Sequence, residues 1–207
     1  MVGAMATATD PLILLSQALD QAAGVVAAIG DDRLALPTPC RSWDVGTLIA
    51  HLIHDLEQFR VQASGGRPAW GAPPPELPAE RAVAFNEGAR ALLDAWGESG
   101  DLGRMVAIPG MGEVPARFFV DQEITELAIH AWDLATATGQ PVAALDPSIA
   151  EAALAWSSRA LRPAYRGDEA SGRGFGPEVP VPPGAPAYDR LAGWLGRAPS
   201  SSPRAPR

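Results

Sequence analysis

The chain contains no lysine; all 16 of its basic residues are arginine. That absence excludes Schiff-base chemistry, lysine-dependent phosphate loops and a lysine general base. Cysteine is nearly absent too. The single Cys40 rules out an intramolecular disulfide framework and any multi-cysteine zinc site. Positive charge is in short supply, the net charge being −8. Nucleic acid and anionic membrane surfaces are therefore poor partners, because binding phosphate needs clustered cations. No apolar run approaches the roughly 20 residues that cross a bilayer. The opening MVGAMATATDP lacks a basic region followed by an apolar stretch, so a cytoplasmic protein without a signal peptide is expected.

What is present is a compact, moderately apolar chain of 207 residues, 47% hydrophobic and 19% charged. That length supports one domain with a real core, or one domain with an appendage. Asp10-Pro11 opens a helix whose apolar positions include Leu15, Leu19 and Val26. After the Pro-interrupted LALPTPCRSW, Ser42 or Asp44 can cap a second helix from about Val45 to Val61. The Gly/Pro-rich SGGRPAWGAPPPELP forms a long irregular crossover to a third helix, Ala79 to Trp96. RMVAIPGMGEVPARFF suits a small hairpin or extended chain. A fourth helix is predicted over Pro115–Thr138, with Pro115 in its first turn and Gly139 as its stop. A fifth runs from Asp146 to Leu161, and FGPEVPVPPGAPAYDRLAGWLGR gives an extended Pro-rich piece and a short last helix. The fold class is all-α: a helical bundle with a long crossover and an extra C-terminal helix. The organisation expected is a bundle over 1–162, a C-terminal extension over 163–198 packing on it, and a disordered tail over 199–207.

Helical geometry, about 100° per residue, then sorts the polar side chains. On the second helix Val45, Leu48, Ile49, Leu52, Ile53, Leu56 and Phe59 form one stripe. His51 lies on its flank, whereas His54 lies opposite and is expected in solvent. On the fourth helix Val120, Ile124, Leu127, Ala128, Ala131 and Leu134 form the apolar face. Glu123, Glu126 and His130 fall within about 60° of one another along its border. Bundles build metal sites from such side chains on facing helices. Two His and one carboxylate with open positions suit catalytic zinc, and also iron and other divalent metals. The same i, i+4 spacing also serves an ordinary ion pair on a solvated face, and on spacing alone both readings stand.

Taken together, LPTPCRSWDVGTLIAHLI and ELAIHAWDLATATGQP resemble the actinobacterial branch of the DinB/YfiT-like superfamily. They are most similar there to N-terminal domains of the mycothiol-dependent maleylpyruvate isomerase type. The closing FGPEVPVPPGAPAYDRLAGWLGR looks like the tail of a metal-binding branch of that superfamily. The resemblance implies an up-down-down-up four-helix bundle and a divalent metal held by His51, Glu126 and His130. Zinc is the metal it favours, with nickel, iron or manganese as alternatives. It also implies mycothiol as a thiol cofactor, a small-molecule substrate, and allows a homodimer. Only a short tail follows the fifth predicted helix, so isomerase activity itself is not carried over from the resemblance.

Three functional readings follow: a thiol-dependent transferase or isomerase, a Lewis-acid enzyme that uses no thiol, and a metal-binding module without turnover. Glu123 can orient a ligand or act as an acid or base. Arg41 and Arg117 can bind a substrate carboxylate. Cys40, just before a helix, can be a lowered-pKa nucleophile but more commonly such a residue is a small buried hydrophobe. Trp43 and Trp132 are expected in the core. Asp133 is expected to point away from His130 and to serve as a cap or an Arg partner.

Overall fold

The computed structural model of the protein describes residues 10–41, 43–73, 75–108, 112–167 and 175–199. The opening segment, Ser42 as an alternative cap, and residues 200–207 of the closing tail lie outside them. Among the described residues the α-helices are α1 (Pro11–Ala27), α2 (Val45–Ala63), α3 (Arg81–Ser99), α4 (Arg117–Thr138), α5 (Pro147–Ala160) and α6 (Ala187–Trp194). A hairpin of β1 (Met105–Ile108) and β2 (Gly112–Pro115) sits between α3 and α4.

Local chemistry sets the boundaries. Asp10 accepts from the Leu12 amide at 2.9 Å with Pro11 in the first turn. Asp44 accepts from the Thr47 amide at 2.8 Å, and Asp146 from the Ser148 amide at 2.8 Å. Each side-chain oxygen satisfies an amide that the first helical turn leaves without a partner. Gly139 ends α4 at φ 71°, a left-handed conformation that glycine adopts without steric cost. Pro115 is not in the first turn of α4 as expected; it pairs with Met105 at the end of β2. The ladder runs on past it, the Ala116 and Arg117 amides donating to the Arg104 and Leu102 carbonyls, so the helix starts only afterwards.

Helices α1 to α4 form the four-helix bundle. α1 packs along α4 and α3, and α2 along α3 and α4, with the long crossover between α2 and α3. α5 and α6 pack on each other and on α4. α4 is therefore covered on more than one side, and nearly all of it is buried, from Phe119 to Ala135. Polar positions that look like the rim of an amphipathic helix consequently lie indoors. The Pro-rich stretch before α6 closes against it. The Val179 amide donates to Gly193 O at 2.8 Å, and a Cβ on Gly193 would stand 2.6 Å from Val179 O, so only glycine fits.

Candidate metal centre

His51 comes from α2 and Glu126 and His130 from α4. One ligand atom from each lies within 4.8 Å of the other two. The Asp44 cap fixes where α2 begins, and the Thr38 hydroxyl lies 2.8 Å from the carbonyl oxygens of both Cys40 and Trp43. Those bonds place the Trp43 ring 4.3 Å from the His51 ring. The two imidazoles meet edge to face at 5.3 Å. Trp43, expected to be core, is half-buried and forms one wall of this cluster.

Each histidine has its own carboxylate. His51 Nε2 lies 3.2 Å from Asp55 Oδ2, one turn further along α2. His130 Nε2 lies 3.3 Å from Glu126 Oε2, while its Nδ1 lies 3.1 Å from Asp133 Oδ2. Asp133 is fully buried and bound in turn by Arg197, whose terminal nitrogen donates to Oδ2 at 3.1 Å. The expectation that Asp133 points away from His130 is thus overturned. Three residues advance a helix by about 300°, which returns Asp133 to within about 60° of His130, one turn on. Its pairing with an arginine is as expected. The result is an Arg197–Asp133–His130 chain that holds the imidazole through Nδ1 and leaves Nε2 facing Glu126, the way carboxylates orient metal-binding histidines.

The electrostatics set the two imidazoles apart. Burial first, and then the neighbouring His130, push His51 down to about 3, so it is neutral at pH 7. Burial also opposes a charge on His130, but hydrogen bonds to Asp133 and Glu126 outweigh it and raise that group to about 9. Burial, reinforced by Glu126, raises Asp55 to about 8. Glu123 is fully buried, and burial together with Asp55 and Glu126 lifts it well above the usual carboxylate range. Neither of its oxygens has a hydrogen-bond partner among the described residues. Three carboxylates thus crowd a space enclosed by helices, and burial first, then mutual repulsion, keeps protons on two of them. A divalent cation suits that excess of acceptors, and two imidazoles with a carboxylate form a zinc-type donor set.

The remaining candidates are scattered. Arg41 is exposed. Arg117 is spent on Asp121 at 3.2 Å, on the protein surface. Cys40 is buried, within electrostatic reach of Arg197. Trp132 is in the core. His54 is half-buried rather than in solvent, and its Nε2 is covered without a hydrogen-bond partner among the described residues. Sequence reasoning missed Asp55 and Arg197. The first was findable, since His51 and Asp55 repeat the i, i+4 spacing that singled out Glu126 and His130. Nothing local announces Arg197, which is 64 residues from Asp133.

Comparison with known proteins agrees with this architecture. A crystal structure of the mycothiol-dependent maleylpyruvate isomerase matches with a TM-score of 0.55 at 18% identity, which shows a shared fold. The match covers 69% of this chain and 65% of the isomerase chain, so this protein corresponds to about two thirds of that enzyme. Two uncharacterised proteins of Mycobacterium tuberculosis, from strains CDC 1551 and H37Rv, are each 37% identical over 191 residues. Those alignments take in 91% of this chain and 98% of theirs. Residues 15–135, more than half of the chain and all three clustered ligands, match the model of the mycothiol maleylpyruvate isomerase N-terminal domain, and the chain belongs to that family.

Proposed function

We propose that the protein is a divalent-metal-dependent enzyme that acts on a small molecule by thiol-dependent transferase or isomerase chemistry, with mycothiol as the thiol. The observation that carries this reading is the approach of His51, Glu126 and His130 ligand atoms to within 4.8 Å of one another. Family membership supports mycothiol as the thiol. When bound, a divalent ion lowers the pKa of a thiol or water at its open position and polarises a neighbouring carbonyl.

The chain's own residues prepare that chemistry. His51 is kept neutral and so offers a lone pair at neutral pH. Asp133 accepts the Nδ1 proton of His130 and directs Nε2 towards Glu126. Asp55, protonated up to about pH 8 and adjacent to His51, is placed to give or take a proton at the reacting end of a substrate. Trp43 covers the imidazoles and limits water.

The test is elemental analysis of untagged wild type and of a His51→Ala, His130→Ala double variant. Near-stoichiometric metal in the first and none in the second is the expected result. Wild type that stays metal-free after incubation with zinc, nickel and iron overturns the proposal. Turnover of an electrophilic substrate should stop when mycothiol is withheld; an unchanged rate would leave the metal but remove the thiol.

A further inference from the structure

Beside the metal centre lies a cavity of about 390 Å³, and Glu126 is one of its lining residues. Its other walls are strongly aromatic. Trp70 comes from the crossover, Phe118 from α4, Trp156 from α5, and Tyr165 and Phe175 from the chain beyond α5. Phe118 and Trp156 meet edge to face at 5.1 Å. Large apolar side chains left in solvent are few among the described residues, yet two of them, Trp70 at 46% and Tyr165 at 37% exposure, both line this cavity. An aromatic ring inserted among them would gain offset and edge-to-face contacts as well as burial.

The charge at the walls is equally selective. Among the described residues no arginine lines the cavity and the one carboxylate at its wall is Glu126, and the chain has no lysine. Arg166, next to Tyr165 in sequence, is not among the lining residues, although one of its terminal nitrogens is buried without a hydrogen-bond partner among the described residues. Arg166 donates to the Gly176 and Trp194 carbonyls and stacks on the Trp194 ring at 4.2 Å. A substrate bearing two carboxylates would find no cation among the described lining residues for the second one, and desolvating it without a partner is costly. The polar groups on offer, such as Gln122 and Thr125, are neutral.

We infer that the cavity takes an uncharged small molecule with an aromatic body of one or two rings, its polar reacting group directed towards Glu126. The inference names the substrate class for the function proposed above. It rests on that reading only for which end of the ligand meets the metal.

The test measures binding of two probes, benzylideneacetone (a neutral phenyl enone) and muconate (a dicarboxylate of similar length). Titration calorimetry is run on the full chain, both zinc-loaded and chelator-treated. The enone should bind at least about tenfold more tightly than muconate in both forms. Ala160→Phe, which fills the cavity from the end of α5, should abolish enone binding while zinc stoichiometry is retained. Phe118→Ala should weaken the enone about tenfold and serves if the filled variant fails to fold. Equal or tighter muconate binding, or enone binding indifferent to both substitutions, overturns the inference. Zinc uptake without enone binding overturns it and spares the metal proposal. Cavity-dependent enone binding without zinc uptake supports it and removes the metal proposal.

Discussion

Helix α4 has two contrasting sides. Val120, Ile124, Leu127, Ala131 and Leu134 occupy one arc, all buried and all hydrocarbon, and join the core shared with α1 and α3. Glu123, Glu126, His130 and Asp133 occupy the neighbouring arc of about 80°. They are scarcely less hidden: Glu123 and Asp133 have no exposure at all. The apolar side closes by shape and area, each side chain contributing without a specific partner. The polar side closes only where charge is matched: Glu126 pairs with His130 within α4 and Asp133 with Arg197, while Glu123 has no hydrogen-bond partner among the described residues. One side makes the bundle stable. The other buries carboxylates at a cost, the pattern that motivates the proposed metal site.

The contrast is broken most completely by removing the imidazoles. In the His51→Ala, His130→Ala variant zinc affinity should fall on the order of a thousandfold or more, read by competition with a chromogenic chelator, while the helical circular dichroism is retained. Loss of the helical signal would mean the polar side is structural after all. Arg197→Ala comes next. It leaves Asp133 buried beside His130 without its guanidinium, so denaturant unfolding should show a loss of about 3–5 kcal/mol. Zinc affinity should drop roughly tenfold to a hundredfold as well, because the His130 ring loses its anchor. Leu127→Ala on the apolar side should cost a similar ~2–5 kcal/mol yet leave the zinc affinity of the folded protein unchanged. Equal effects of the two variants on zinc would erase the distinction between the sides.

Two smaller effects sharpen it. Tyr188 anchors α6, its hydroxyl accepting from Gln21 of α1 at 2.6 Å, and burial pushes its pKa up to about 12. The folded value lies above the unfolded one near 10, so this stabilisation is complete below pH 10 and fades as pH rises through 12. The loss should approach roughly 2–3 kcal/mol, and a Tyr188→Phe variant should lack that part of the alkaline decline. Asp44→Ala removes the α2 cap and should cost about 1 kcal/mol in thermal unfolding. Because that cap also fixes the turn carrying Trp43, the variant should weaken zinc only slightly.

Much of this was legible locally. Asp10-Pro11, Asp44, Asp146-Pro147 and Gly139 each act within one turn of the backbone, so the helix ends could be read from residue type. Apolar periodicity likewise named the buried stripes of α2 and α4. Pro115 misled because a strand ladder outlasted it, and pairing with Met105 is a non-local event. The polar residues of α4 were placed on the correct arc, but their burial was not readable. That depended on α5 and α6 covering a second face of the helix.

What the sequence determined by itself is therefore what short-range geometry controls. It set the helices, the spacing of Glu126 from His130, and the absence of lysine and of a second cysteine, which closes off whole classes of chemistry. Only tertiary structure decided that His51 meets that pair, that Arg197 reaches Asp133, and that aromatic residues from four parts of the chain enclose one cavity. Those juxtapositions depend on how helices separated by long loops pack. Their energy comes from summed apolar burial over the whole bundle, which no short stretch of residues encodes.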